Sequence, residues 1–227
     1  LMKGRLRKPF TSTNPSQFDY SSYLRNFNTF TTFYVAGNDV SILEDNPDFR
    51  WKFLRGLNNT RNRILKVHSK YLKSPNLEIL GGIVFGDDAV SPPDYIKSSF
   101  INSGLLHILA ASGMNVAFIF SFWFVILKFL GVPYKPRVLS GMLVVILYTL
   151  MTGLGPSVIR AALMLLFVLG GKLIDRDTHS VSLLSLVAVL MLIYNPAYIN
   201  NVSFQLSFLV TLGLLTTANI VSQKLTK

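Results

Sequence analysis

The chain has 227 residues, of which 50% are hydrophobic and 15% are charged, and its formal net charge is +11. A soluble domain of this length has no reason to carry so few charges. The chain contains no cysteine, which excludes disulfide bonds and thiolate chemistry. The excess of positive charge favours an anionic partner, with lipid headgroups as the simpler reading and nucleic acid as the more specific one.

The composition changes sharply near Gly104. Fourteen of the 22 Lys and Arg residues and nine of the 11 acidic residues come before it, and the only later carboxylates are Asp175 and Asp177. We therefore expect three units, which are a β-rich extramembrane segment with its linker (1–48), amphipathic interfacial helices (49–103) and a transmembrane domain (104–227). Since the chain opens on Leu1 and ends just after an apolar span, we expect it to be a fragment of a longer protein.

Strands are expected only near the N-terminus. Aromatic and β-branched residues stand among threonines at Phe30, Phe33, Tyr34 and Val35, and Asn14-Pro15-Ser16 is a turn signal. The polar stretch from Gly37 to Asp48 predicts a loop.

A basic amphipathic helix is predicted over residues 60–73, ending at Ser74-Pro75. Its apolar stripe consists of Ile64, Leu65, His68, Tyr71 and Leu72, and its cations are Arg61, Arg63, Lys66, Lys70 and Lys73. Such a helix beside a membrane domain most simply lies on the headgroups, with nucleic-acid contact as the alternative. A second, short helix is expected from Ser91-Pro92 to Gly104.

Five apolar stretches follow, at residues 105–127, 138–154, 157–173, 181–194 and 204–221. A helix that crosses a bilayer needs about 20 apolar residues, and the fourth stretch is clearly shorter. The fold class is therefore a mainly α-helical polytopic membrane protein with about five spans. Some of these are expected to be broken or re-entrant and to line a cavity.

The charges in the loops predict the topology. Cations follow the first, third and fifth stretches, at Lys128, Lys135, Arg137, Lys172, Arg176, Lys224 and Lys227. The alternate loops, 153–156 and 195–203, carry no charge. Under the positive-inside rule the charged loops are cytoplasmic, so residues 1–103 are expected to be extracytoplasmic.

Polar side chains inside the apolar stretches are costly and are therefore candidates for function. On an unbroken helix, His107, Ser112 and Asn115 would share an arc of roughly 140° and face the bundle interior together. Gly113 between them is a plausible point of unwinding. The alternative is that these residues only hold helices together.

A second group opens the third stretch, where Pro156 and Ser157 start a helix and place Arg160 in its first turn. An anion there would meet free N–H groups, a hydroxyl and a guanidinium at once. Snorkelling of Arg160 to the interface is the alternative. Gln205 and Ser207 open the last span in the same way, although an interfacial cap explains much of that pattern.

Other chemistry has little support. The aromatic run at Phe118, Phe120, Phe122, Trp123 and Phe124 suits base stacking, but most of these rings must face lipid. Histidines with metal-ligand spacing are absent. A hydrolase built on His107 and Ser112 would lack an orienting acid. We therefore expect no cofactor, no metal and no enzymatic activity in this fragment.

The segment His107-Ile-Leu-Ala-Ala-Ser112-Gly113-Met-Asn115-Val116, which follows Gly104-Leu105, resembles the competence domain of the ComEC family. Further matches stand in the order that the family shows, at Gly86-Asp87, Pro156-Ser157 with Arg160-Ala161 and Met164, and Asn195-Pro196 with Ser203-Phe204-Gln205-Leu206-Ser207-Phe208. Residues 4–24 resemble the closing part of the family's extracytoplasmic OB-like domain. Asn115 departs from the family pattern, because it replaces a histidine and cannot carry a proton. Ser16-Gln17 also stands where the family usually has glycines.

The resemblance implies a channel in the bacterial inner membrane that conducts single-stranded DNA into the cytoplasm during natural transformation. It also implies a cytoplasmic helicase-like ATPase and an extracytoplasmic DNA receptor as partners, and a metallo-β-lactamase-like domain outside this fragment. The residues expected along the DNA path are Arg160, Ser157, His107, Ser112, Asn115, Gln205 and Ser207. A transporter of a small anionic solute, a membrane scaffold and a hydrolase remain alternatives.

Overall fold

The computed structural model describes residues 2–14, 17, 19–25, 29–40, 48–86 and 90–225. Within these ranges the chain is mostly helical, with ten α-helices, one short 3-10 helix and one two-stranded sheet. This confirms a mainly α-helical fold that follows a small β segment.

The sheet consists of β1 (Met2–Arg7) and β2 (Thr32–Val40), which pair antiparallel from Arg7↔Thr32 to Met2↔Val40. The strand expected near Phe33 is therefore confirmed. The loop expected from Gly37 was wrong at its start, because residues 37–40 continue β2 and its last residue pairs with Met2. Residues 41–47 of that loop lie outside the described residues, as do residues 15 and 16 of the expected turn.

A short helix, α1 (Tyr20–Arg25), interrupts the expected β-rich segment. Asp19 caps it by accepting hydrogen bonds from the N–H groups of Ser21 and Ser22 and from the Ser22 hydroxyl. These bonds, with that from the Ser22 hydroxyl first, hold the pKa of Asp19 below its ordinary value.

The basic helix, α2 (Phe49–His68), starts well before the expected Thr60 and stops before Lys73. Its beginning was not predicted, because the apolar residues between 49 and 59 do not form a single stripe. The Asp48 carboxylate caps it by accepting from the N–H of Phe49, 2.8 Å away. At its end, the N–H groups of Tyr71 and Leu72 both return to the carbonyl of His68. Lys70 and Lys73 therefore belong to the following turn.

Two short helices connect α2 to the apolar half. The first, α3 (Asn76–Phe85), was not expected, because its run of apolar residues with two adjacent glycines shows no amphipathic period. The second, α4 (Asp94–Asn102), begins at Asp94 rather than at Ser91-Pro92. It ends close to where expected, since its C-cap is Ser103 and the next residue, Gly104, adopts a φ of 72°.

The apolar half consists of α5 (Leu106–Leu109), α6 (Gly113–Phe129), α7 (Tyr134–Met151), α8 (Pro156–Leu173), α9 (Ser180–Tyr194), a 3-10 helix (Pro196–Asn200) and α10 (Val202–Leu225). Among the described residues, α7 and α8 are long and apolar enough to cross a membrane. The helices α6 and α9 and the apolar part of α10 are shorter. The first expected span, 105–127, is two helices rather than one.

Two clusters of buried apolar side chains hold these helices together. One joins α6, α7 and α8 and consists of Val116, Val145, Tyr148, Val158 and Ala162. The other joins α9 and α10, with α8 side chains packed against it, and consists of Leu183, Val187, Met191 and Phe204. Because α8 packs against both clusters, it is the central helix of the group.

Candidate functional site at a helix break

The expected helix is interrupted between α5 and α6, and we call the non-helical residues 110–112 the break. Ala110 and Ser112 have extended backbones, and α6 begins at Gly113. The predicted arc of His107, Ser112 and Asn115 on one helix was therefore wrong, although the expected unwinding near Gly113 is present. A break at this place leaves the carbonyls at the end of α5 and the N–H groups at the start of α6 without intrahelical partners.

The start of α8 lies directly against this break. The Ser157 hydroxyl donates to the carbonyl oxygen of Ala111 at 3.2 Å. A Cβ atom on Gly113 would lie 2.8 Å from the Cβ of Ala161, so only a glycine allows α6 to approach α8 so closely. Ser157 thus satisfies a backbone acceptor that the break exposes, and its lone pairs remain available to other donors.

The end of α3 enters the same region and is capped by side chains. Asn115 Nδ2 donates to the carbonyl of Ile83 at 2.9 Å, and the Tyr148 hydroxyl donates to the carbonyl of Val84 at 2.6 Å. Carbonyls in the last turn of a helix have no intrahelical partner, so these two bonds replace missing ones. Gly86, which ends α3 with a φ of 90°, packs on Ala111. Asn115 therefore anchors α3 in this structure.

Arg160 lies one residue beyond the first turn of α8 and is half-buried. Its Nη1 donates to the Ser207 carbonyl at 2.8 Å and to the Thr211 hydroxyl, both on α10. Its Cζ lies 5.8 Å from the centre of the Phe208 ring, and its Nε is buried without a hydrogen-bond partner. The other terminal nitrogen, Nη2, points toward Gly113 at the break. The guanidinium therefore connects α8 to α10 and lies beside the start of α6.

The charge of Arg160 has no counter-ion in these helices. In the described chain no carboxylate belongs to any helix from α5 to α10, since Asp175 and Asp177 lie in the loop after α8. A partly buried charge is costly unless it is paired, and carbonyl and hydroxyl groups only partly compensate it. The site therefore favours an anion.

The remaining predicted site residues do not all contribute side chains to the site around Arg160. His107 is exposed on α5, with Nδ1 3.2 Å from the carbonyl of Gly104. Gln205 is exposed, and its Nε2 donates to the carbonyl of Ile199 at 2.7 Å. Ser207 contributes its carbonyl rather than its hydroxyl to Arg160. The structure thus brings together Arg160, Ser157 and the break, whereas His107 and Gln205 are exposed and bond to carbonyls of their own segments.

Two residues of this site, Tyr148 and Thr211, were not predicted from the sequence. Tyr148 lies among apolar residues of α7, and a single tyrosine in such a run is expected to be a core residue. Thr211 stands four residues after Ser207, on the same helical face, and that spacing was the available signal.

The basic helix contacts the same end of the bundle. Arg61 Nη1 donates to the carbonyl of Met151, the last residue of α7, at 3.3 Å. A cation at a helix C-terminus is stabilised by the helix dipole. Arg63 and Lys66 are exposed on α2, as are Lys70 and Lys73 in the turn that follows.

An apolar cavity of about 400 Å³ lies between α7, α8 and α9. Its lining includes Ile159, Leu163, Leu190 and Met191, with Thr149 and two tyrosines as its polar members. Such a lining does not suit a polyanion, so this cavity is not a candidate for the phosphate path. Within the described ranges there is also no group of three or more His, Asp or Glu residues placed to hold a metal ion.

The aromatic residues of α6 divide between two environments. Phe118 and Phe122 are exposed, whereas the rings of Phe120 and Phe124 lie 5.5 Å apart. The guanidinium of Arg137 also lies over the Phe124 ring, with its Cζ 4.3 Å from the centre of the ring. The exposed rings of Phe118 and Phe122 are consistent with the expected contact with lipid, which was favoured over base stacking.

Removing the Tyr148 hydroxyl should loosen α3. In a Tyr148→Phe variant of the full-length protein, hydrogen exchange of the α3 amides should rise about threefold to tenfold, because a neutral hydrogen bond contributes about 0.5–1.5 kcal/mol. Exchange measured by mass spectrometry tests this. Tyr194→Phe, which removes a hydroxyl from an exposed ring on α9, is the matched control. Equal α3 exchange in the two variants would show that the Tyr148–Val84 bond does not hold α3.

Comparison with known proteins assigns the family. The model of the competence protein family matches residues 83–227, which contain α4 to α10 and the end of α3. The chain belongs to the competence protein family. The ComEC resemblance is confirmed by a match to ComE operon protein 3 of Bacillus subtilis (strain 168), with 28% identity over 98% of this chain.

An uncharacterized protein of Aquifex aeolicus (strain VF5) is 30% identical over 69% of the chain. The matched regions make up 28% of the Bacillus protein and 37% of the Aquifex protein, so the chain spans well under half of either relative. No solved structure matches the chain.

Proposed function

We propose that this competence protein forms part of a multi-pass channel in the bacterial inner membrane that conducts single-stranded DNA into the cytoplasm during natural transformation. The observation that carries the proposal is the half-buried guanidinium of Arg160, whose charge no carboxylate of the described helices balances. A DNA strand carries a negative charge at each phosphate, so its path needs cations and donors without nearby acids.

The contacts support a common orientation of the helices. Asn115 and Tyr148 place the start of α6 and the end of α7 beside the end of α3, and Ser157 places the start of α8 beside the break. This is the end with uncharged loops, and the cationic loops follow the opposite ends of the same helices. By the positive-inside rule the break faces the extracytoplasmic side, together with residues 1–103.

The proposed path begins at the break. Arg160 and Ser157 would meet phosphates, with His107, Ser112, Asn115, Gln205 and Ser207 holding or lining the path. Contacts of this kind are independent of base sequence, which allows a strand to move on. The segment itself is proposed to be non-catalytic, with movement supplied by a cytoplasmic helicase-like ATPase and capture by an extracytoplasmic DNA receptor.

The test is uptake of labelled DNA into a nuclease-protected form. We expect a strain that lacks the full-length gene to lose uptake, and re-expression to restore it. The loss must occur without a change in DNA bound at the cell surface, because capture precedes transport. Normal uptake in the deletion strain would refute the DNA proposal.

One observation also favours a second candidate, a transporter of a small anionic solute. Broken helices such as α5 and α6 are typical of transporter binding sites. Saturable flux of that solute into liposomes containing the full-length protein, with no effect of deletion on DNA uptake, would favour it. A scaffold would show neither activity.

A further inference from the structure

The helix α2 presents three distinct faces. With about 100° between successive residues, Leu54, Leu57, Arg61 and Leu65 share one face, and all four are half-buried. Leu65 lies beside Gly81 of α3, and Arg61 binds the end of α7. This face is the one that docks on the bundle.

A second face is apolar and uncovered. Phe49, Phe53, Ile64 and Val67 lie about 60–120° from Arg61 around the helix axis. All four are exposed, Phe49 by 82% and Val67 by 57%. The pair Phe49 and Phe53 and the pair Ile64 and Val67 stand at the two ends of this face, with Thr60 between them. Large apolar side chains exposed at both ends of one helix face indicate contact with something other than water. We call this face the apolar row.

The third face is cationic. Lys52, Arg63 and Lys66 lie roughly opposite the docked face, next to the apolar row, and all three are exposed. From Lys52 to Lys66 this row covers about 21 Å of helix length. An apolar row beside a cationic one is the arrangement of a helix that lies in the interface of a lipid bilayer.

The contact between Arg61 and α7 fixes where α2 lies along the length of the membrane-spanning helices. Met151 is the last residue of α7, one of the helices long enough to cross a membrane, and its carbonyl binds Arg61 in the middle of α2. We propose that α2 lies in the extracytoplasmic lipid interface, with its apolar row among the acyl chains and Lys52, Arg63 and Lys66 at anionic headgroup phosphates. This inference rests on the membrane placement in the proposed function.

Lipid fits this surface better than DNA does. Bases stack on aromatic rings, whereas Ile64 and Val67 offer aliphatic groups that gain nothing from stacking but gain from insertion among acyl chains. The exposed Trp51 is aromatic but lies on the far side of the helix from the apolar row.

The test uses spin labels on the full-length protein in vesicles of phosphatidylcholine with or without phosphatidylglycerol. Cysteines replace Phe53 and Val67 on the apolar row, Lys52 and Arg63 on the cationic row, and Asn62 as a matched polar control. The ratio of oxygen to nickel-chelate accessibility reports depth. We expect this ratio to be several-fold higher at Phe53→Cys and Val67→Cys than at the other positions, and the difference to grow with phosphatidylglycerol.

Equal ratios at all five positions would overturn the proposal. Immobilisation of the labels at Lys52 and Arg63 by a single-stranded oligonucleotide, without high oxygen accessibility at Val67, would overturn it in favour of DNA. Labels on exposed side chains of α7, such as Leu143→Cys, report the membrane span separately. High oxygen accessibility on α7 with low accessibility on α2 would overturn only this inference. Low oxygen accessibility on both α7 and α2 would overturn the proposed membrane placement as well.

Discussion

Replacing Arg160 by glutamine should lower DNA uptake about tenfold to a hundredfold, while the protein still inserts in the membrane. A hydrogen bond to a charged group contributes about 1.5–3 kcal/mol, and each 1.4 kcal/mol corresponds to a factor of about ten. Glutamine can still donate to the Ser207 carbonyl on α10 but carries no charge. The measurement is nuclease-protected uptake, normalised to the amount of membrane-inserted protein.

The variants around Arg160 separate a phosphate site from a structural clamp. Arg160→Lys keeps the charge and should retain part of the uptake, whereas Arg160→Glu should abolish it, because a carboxylate repels phosphate. Thr211→Val removes an acceptor of the guanidinium with little change in shape. Normal uptake by Arg160→Glu would contradict a phosphate role. Equal losses in Thr211→Val and Arg160→Gln would show that Arg160 only joins α8 to α10.

A methyl group added at Gly113 should force α6 away from α8. The added Cβ would lie 2.8 Å from the Cβ of Ala161, and neither atom can move without its backbone. Overpacking of this kind costs about 1–3 kcal/mol, so Gly113→Ala should lower the Tm of the full-length protein in detergent and reduce uptake.

Two further variants make this test specific. Gly170→Ala adds the same atom on α8 where nothing lies within 4 Å, and it should leave the Tm unchanged or raise it. Ala161→Gly removes the atom that the new Cβ would meet, so the double variant Gly113→Ala, Ala161→Gly should recover much of the lost stability. A Gly113→Ala protein as stable as Gly170→Ala would contradict the close approach of the two helices.

Patterns that depend on neighbouring residues were predictable for this chain. The positions of α7, α8 and α9 follow from runs of apolar residues that no carboxylate interrupts, and Pro156 begins α8 because its fixed φ and missing N–H suit a first helical position. The end of α4 before Gly104 was predictable for a similar reason, since glycine adopts positive φ without steric cost. The start of α2 was missed because the apolar residues between 49 and 59 are spread over several faces of the helix and give no single stripe.

Local sequence was enough to predict the helical class, the change of composition near Gly104, and Arg160 as a cation in helices without acids. Those properties are carried by single residues and their near neighbours. The packing of the helices was needed to show that Asn115 and Tyr148 cap α3 and that the Arg160 guanidinium reaches α10. Each of these joins groups at least 30 positions apart in the chain, and a backbone carbonyl that accepts such a bond has no signature in the identity of its residue.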